Sequence, residues 1–232
     1  MSGIAAVTLD AAGTLIQVRR PVGETYAAIA ARHGIPVQAQ EVATAFRTVF
    51  PRMSPLAFGA GSPQQLERQE RDWWRTLVRG CLGRHGQHPA FAAFFDELYG
   101  HYRCARAWAI YPEVHAVLDL LDARGIPAAV VSNFDSRLHP LLYELGLHAR
   151  FRAVICSSTA GAAKPDARIF ALACRTLGSR AQQTLHAGDS RQADLQGARA
   201  AGLHALWIRR EPAMHAPDTD SAADLHGLVG LL

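Results

Sequence analysis

The chain has 232 residues, 49% of them hydrophobic and 19% charged, with a formal net charge of +4. That content supports one sizeable core with room for an inserted domain, and it argues against a disordered chain or a membrane span. Of the 24 basic residues 23 are scattered arginines, which read as a solvated surface rather than a nucleic-acid track, and Lys164 is the only lysine.

The first apolar run, Ile4–Leu9, reads as a buried strand that stops at Asp10 and turns through Gly13-Thr14. From 17 to 106 there is no strand pattern. The helical stretches there are "GETYAAIAARHG", "QEVATAFRTVF", "QQLERQERDWWRTLVRGCL" and "HPAFAAFFDELYGHYRCA". Between the second and third of these, "FGAGSPQQ" is loop-like. Next, "EVHAVLDLLDARG" places Val114, Val117, Leu118 and Leu121 on one helix face, with Gly125 as its stop.

Four more apolar runs follow: Pro127–Ser132, Phe151–Cys156, Thr184–Gly188 and His204–Ile208. The helical patterns "SRLHPLLYELG", "DARIFALACRTLG" and "QADLQGARAAG" separate them, and Asp166 is placed to cap the second. Strands alternating with helices predict an α/β fold with a Rossmann-like, doubly wound parallel sheet. The expected organisation is a core of 1–16 plus 107–232, interrupted by an all-helical insertion over 17–106.

In open α/β sheets, ligands bind beyond the carboxyl ends of the strands. The first strand ends in Asp10 and the second in Ser132-Asn133. The third leads to Lys164, and the fourth runs into "GDSRQAD", which carries Asp189 and Asp194. A carboxylate can attack phosphorus, and clustered carboxylates suit a hard cation such as Mg²⁺. A hydroxyl and an ammonium would neutralise a transferring phosphoryl group.

This set resembles the haloacid dehalogenase superfamily of hydrolases over essentially the whole chain. "LDAAGTL", "VVSN", "AAKPDARIF" and "AGDSRQADLQGARAAG" are similar to its four motifs in order. "RRPVGETYAAIAARHG", "DWW" and "VVSNFDSRL" are similar to one branch, the dehalogenase-like hydrolase domain-containing protein three group. The resemblance implies that the insertion is a helical cap and Asp10 the nucleophile. It implies that Asp10, the Ala12 carbonyl and Asp189 hold Mg²⁺, with Asp194 in support. It also implies that Ser132 and Asn133 bind the phosphoryl group, and that Lys164 steadies both nucleophile and developing charge. The substrate class is then a small phosphorylated metabolite, with no nucleic-acid or membrane partner.

Each residue taken alone has a plainer reading. Asp10 could be a turn residue, Ser132 or Asp135 a helix cap, and Asp194 a first-turn carboxylate favoured by the helix dipole. Lys164 could be a surface lysine, but a chain that otherwise uses arginine keeps it where a compact point charge is wanted. Of Trp73 and Trp74, one is expected to pack the insertion. His101 and His115 read as structural, and Arg19 and Arg20 read equally as a solvated hinge or as substrate contacts.

Ala12 departs from the pattern. Phosphatases of this superfamily mostly read Asp-x-Asp-Gly-Thr, where the second aspartate is the general acid and base. Its loss removes a contribution on the order of 10²–10⁴ in rate, about 3–5 kcal/mol. A weak phosphatase is therefore expected. The alternatives are a dehalogenase-type carbon–halogen hydrolase, whose leaving halide needs no proton, and a binding or scaffold protein that turns over poorly. Phosphonoacetaldehyde hydrolases read Asp-x-Ala-Gly-Thr but need a cap lysine, and the insertion contains no lysine. The four cysteines form no CxxC pair, and the first residues carry no signal-peptide pattern. Both features lead to the expectation of a cytoplasmic protein.

Overall fold

The computed structural model describes residues 3–210 and 220–232. The strands are β1 Ala6–Leu9, β2 Ile16–Val18, β3 Trp108–Ile110, β4 Ala128–Ser132, β5 Ala153–Cys156, β6 Thr184–Gly188, β7 His204–Ile208 and β8 Ser221–Ala222. Among the described residues, six of these form one sheet in the order β5-β4-β1-β6-β7-β8, with parallel pairing throughout. β2 and β3 form a separate two-stranded ribbon. The helices are α1 Val22–Arg32, α2 Ala39–Val49, α3 Pro63–Leu82, α4 Phe91–Arg103, α5 Val114–Ala123, α6 Leu138–Glu144, α7 Ser157–Ala160, α8 Ala167–Leu177 and α9 Gly197–Ala200. No helix among the described residues is long and apolar enough to cross a membrane.

The parallel α/β architecture is the one expected from the sequence. β1, β4 and β6 are buried along their whole length, which is why they read as near-continuous apolar runs. β1 lies between β4 and β6, so the chain fills one side of the sheet and then the other. The crevice at the carboxyl end of β1 is the switch point. α8 begins as anticipated, with the Asp166 side chain accepting from the Arg168 N–H, and ends at Gly178 with φ +68°.

Several elements differ from the periodic reading. β1 starts two residues inside its apolar run. The ribbon and β8 are too short for any two-residue period to register. The stretch after β6 begins as a wide π-type turn, Arg191–Gln196, before α9. The N–H groups of Asp194 and Leu195 both reach back to the Ser190 carbonyl, at 2.9 and 3.2 Å. Such wide turns re-aim a side chain and recur at functional sites.

The chain divides into two compact units: Met1–Gln17, Ala57–Ala60 and Ile110–Leu232 form the first, Val18–Leu56 and Gly61–Ala109 the second. The first holds the six-stranded sheet. The second consists of α1–α4 packed around Tyr26, Ile29, Leu77, Phe94 and Leu98. There Arg71 and Arg75 stack on the Phe95 ring and Arg79 on Phe91, one helical turn apart along α3. Trp73 is the packing member of its pair, with its indole N–H donating to the Ser54 carbonyl at 2.8 Å.

Candidate active site

The first unit brings Asp10, Ser132, Lys164, Asp189 and Asp194 together. Asp10 immediately follows β1, Ser132 closes β4 and Asp189 follows β6, so three adjacent strand ends deliver them to one edge. The turn after Asp10 is tight. The Ala11 carbonyl accepts from the N–H groups of Thr14, Leu15 and Ile16, and Gly13 adopts φ +89°. A Cβ on Gly13 would lie 2.2 Å from Asp189 Oδ2, and one on Gly188 would lie 2.2 Å from the Asp194 carboxyl carbon. Glycine at both positions lets the backbone pass against the carboxylates.

Lys164, on the connection leading to α8, is the hub. Its ammonium donates to Asp10 Oδ1 at 2.6 Å and to Asp194 Oδ1 at 2.5 Å. The Ser132 hydroxyl also helps favour the ionised form of Asp10. Asn133 clamps the Lys164 backbone from both sides: its amide donates to the Lys164 carbonyl at 2.8 Å and accepts from the Lys164 N–H at 2.7 Å. Both ends of the Asn133 side chain are thereby engaged in setting the lysine.

The electrostatics follow from this crowding. Burial raises the pKa of Asp10, an effect that Lys164 only partly offsets. Asp189 keeps contact with solvent, yet the packing around it and the charges of Asp10 and Asp194 push its pKa up to about 7. Burial alone would raise Asp194 as well. The Lys164 ammonium and the His186 N–H outweigh it and hold Asp194 well below the usual carboxylate range. Burial alone would lower Lys164, but its two carboxylates reverse that and keep it charged.

The donor set fits a hard divalent cation. Asp10, Asp189 and Asp194 each offer one carboxylate oxygen, and the three atoms lie within 4.8 Å of one another. With all three ionised, three carboxylates against one ammonium leave two negative charges, which such an ion would balance.

Four residues unmarked in the sequence reading complete the surroundings. Thr8 and His186 lie beneath the acidic cluster, and His186 Nε2 is 2.9 Å from Asp194 Oδ1. Arg210 grips the turn after Asp10, donating to the carbonyls of Gly13 at 2.9 Å and Thr14 at 2.6 Å. It also donates to buried Glu113 at 2.7 Å and stacks on Tyr111. The one available signal was a histidine inside the otherwise apolar run "TLHAG". Within the same unit the N–H groups of Phe58 and Gly59 both donate to the Ser158 carbonyl at 3.0 Å, so "FGAG" of the loop-like stretch lies against the segment leading to Lys164. His115 and Arg20 are exposed, and Arg20 pairs only loosely with Glu24 at 3.7 Å. His101 meets Tyr102 edge to face in the second unit.

The profile of the family described as haloacid dehalogenase-like hydrolase matches residues 4–202. Haloacid dehalogenase-like hydrolase domain-containing protein 3 of Mus musculus is 34% identical over 227 residues, covering 97% of this chain and 90% of that protein. The phosphoserine phosphatase of Thermus thermophilus is 33% identical over 150 residues, which are 64% of this chain and 59% of that protein. Among solved structures, a HAD phosphatase from Thermococcus onnurineus covers 98% of this chain and 97% of its own, with a TM-score of 0.68. At 21% identity that last likeness speaks to the fold alone.

Proposed function

The chain belongs to the haloacid dehalogenase-like hydrolase family, and on that premise we propose that it is a Mg²⁺-dependent phosphatase of a small phosphorylated metabolite, working through an aspartyl-phosphate on Asp10. The observation that carries this reading is Lys164 bridging Asp10 and Asp194, with Asp189 close by. A buried carboxylate is a nucleophile in its ionised form, which the neighbouring lysine favours, and the acidic set beside it suits a divalent cation.

Asp10, Asp189 and the Ala12 carbonyl would hold Mg²⁺, with Asp194 in support. When bound, the ion supplies positive charge that offsets the phosphoryl oxygens. An Asp10 oxygen attacks phosphorus, the bond from phosphorus to the leaving oxygen breaks, and that oxygen departs with the electron pair. Water then attacks the phosphorus of the aspartyl-phosphate, releasing inorganic phosphate and restoring the carboxylate. Ser132 and the backbone N–H of Asn133 bind the phosphoryl oxygens. Lys164 offsets the developing charge and favours the ionised form of Asp10. In this reading the second unit, 18–56 with 61–109, is the helical cap.

Ala12 offers no proton to the leaving oxygen, so turnover is slow and favours leaving groups of low pKa, such as aryl and acyl phosphates. The test is phosphate release across aryl, acyl and alkyl phosphates, with Mg²⁺ and with EDTA. Asp10→Asn should lower release on the order of 10³-fold or more. Retained activity in that variant would remove Asp10 from the mechanism. Halide release from 2-haloacids in EDTA would replace the phosphatase reading with the dehalogenase one.

A further inference from the structure

Beneath the acidic cluster lies a buried polar chain that the reaction as described does not use. In the parallel pairing of β1 with β6, Thr8 stands opposite His186. Thr8 Oγ1 is 2.9 Å from His186 Nδ1, and His186 Nε2 is 2.9 Å from Asp194 Oδ1. Thr8 and His186 are wholly removed from solvent, and the Phe170 ring packs edge-on against the imidazole with centroids 5.1 Å apart. A carboxylate only accepts, so the hydrogen on the second contact belongs to Nε2. In the neutral ring the Thr8 hydroxyl then donates to Nδ1. A fully buried imidazole is costly unless both nitrogens are paired, and here they are.

We propose that His186 is a positioning residue for the nucleophile, acting through Asp194 and Lys164. Asp194 receives three donors: His186 Nε2 and Lys164 Nζ on Oδ1, and the Ser190 N–H on Oδ2 at 2.8 Å. With both oxygens held, the carboxylate has one setting, and it fixes the ammonium that lies 2.6 Å from Asp10 Oδ1. The chain of contacts begins and ends on one short stretch of backbone, in and just after β1. Thr8 and Asp10 are two residues apart, which is the repeat that puts side chains on one face of a strand. Without the Nε2–H, Asp194 keeps its charge and its other two donors but loses one of the two on Oδ1, so its rotation about Cβ–Cγ is held less firmly. Lys164 then has alternative positions away from Asp10.

The activity readout rests on the phosphatase reading, and the other two readouts do not. In the full-length protein labelled with ¹⁵N-histidine, NMR should find His186 as the Nε2–H tautomer. His186→Leu should lower kcat for p-nitrophenyl phosphate and weaken Mg²⁺ binding, each by roughly 10–100-fold, with little change in KM. His186→Gln, whose amide N–H can take the place of Nε2–H, should recover most of both. A folded His186→Leu protein with wild-type kcat and Mg²⁺ affinity would overturn the proposal, and so would His186→Gln as impaired as His186→Leu. An Nδ1–H tautomer in the wild type would overturn it without any variant, so it stays decidable if His186→Leu does not fold. A wild type that releases phosphate from no substrate sinks the phosphatase reading alone, because tautomer and Mg²⁺ affinity are read without turnover.

Discussion

The Lys164 ammonium lies 2.6 Å from Asp10 Oδ1, with both side chains almost entirely withdrawn from solvent. Taking away one member of a buried ion pair leaves the other charge uncompensated, at about 3–5 kcal/mol. Lys164→Met is therefore expected to lose about that much stability in urea unfolding at pH 8 without metal. Excess Mg²⁺ should restore part of the loss by supplying the missing positive charge. Lys164→Arg should not rescue activity, since a planar fork cannot occupy the point between Asp10 and Asp194. A loss below about 1 kcal/mol would mean that the pair behaves like an exposed one.

Asp189 is expected to set the pH dependence of Mg²⁺ binding at the acidic cluster. Its pKa is pushed up to about 7 by the packing around it and by the charges of Asp10 and Asp194. A proton on this carboxylate competes with the cation, so affinity is full above that pH and declines below it. Binding of Mg²⁺ should weaken about tenfold per pH unit below 7 and level off above it, with about one proton released per ion at pH 6. Calorimetry in two buffers of different ionisation enthalpy measures that proton. Affinity that is flat from pH 5 to 8 would place Asp189 outside the cation site.

The parallel sheet and the acidic edge were legible because each leaves a local mark. Buried strands such as "PAAVVS" are continuous apolar runs, and Asp10, Ser132 and Asp189 stand directly at or after their ends. What the sequence did not mark depends on contacts between distant residues. Arg210 is one of 23 arginines, and its grip on Gly13 and Thr14 spans nearly the whole chain. The family resemblance implies a phosphoryl contact at Asn133, and nothing local in the sequence marks that its side chain is turned to the Lys164 backbone. His186 was visible only as a polar interruption in an apolar strand, and its partners sit 178 residues earlier and 8 later.

Arg210 and Glu113 together hold the turn that follows Asp10. Arg210→Met removes hydrogen bonds to two turn carbonyls and leaves Glu113, which is 7% exposed, without its cation. A loss of about 2–3 kcal/mol is expected, since bonds to a charged group and an unpaired buried carboxylate are both involved. Glu113→Gln in the same background should return part of it. A double-mutant cycle in urea should give a coupling of about 1–3 kcal/mol, and additive losses would show that the two residues act independently.

Ala12 is half-buried two residues beyond Asp10, at the place where phosphatases of this superfamily mostly carry a second aspartate. Ala12→Asp adds a group able to protonate a leaving alkoxide and then to activate water. Its effect should depend on the leaving group. Alkyl phosphates need that proton and should gain on the order of 10²–10⁴ in kcat, or about 3–5 kcal/mol. Aryl phosphates leave as weakly basic anions, so the step that forms their aspartyl-phosphate should change little, and any gain for them comes from the shared attack of water. The slope of log kcat against leaving-group pKa should thus be steep in the wild type and nearly flat in the variant. The added carboxylate also brings a fourth negative charge towards Asp10, Asp189 and Asp194, so the gain should require Mg²⁺ more strongly than wild-type activity does. A flat slope in the wild type would mean that another side chain already donates the proton, and Ala12 would then be no handicap.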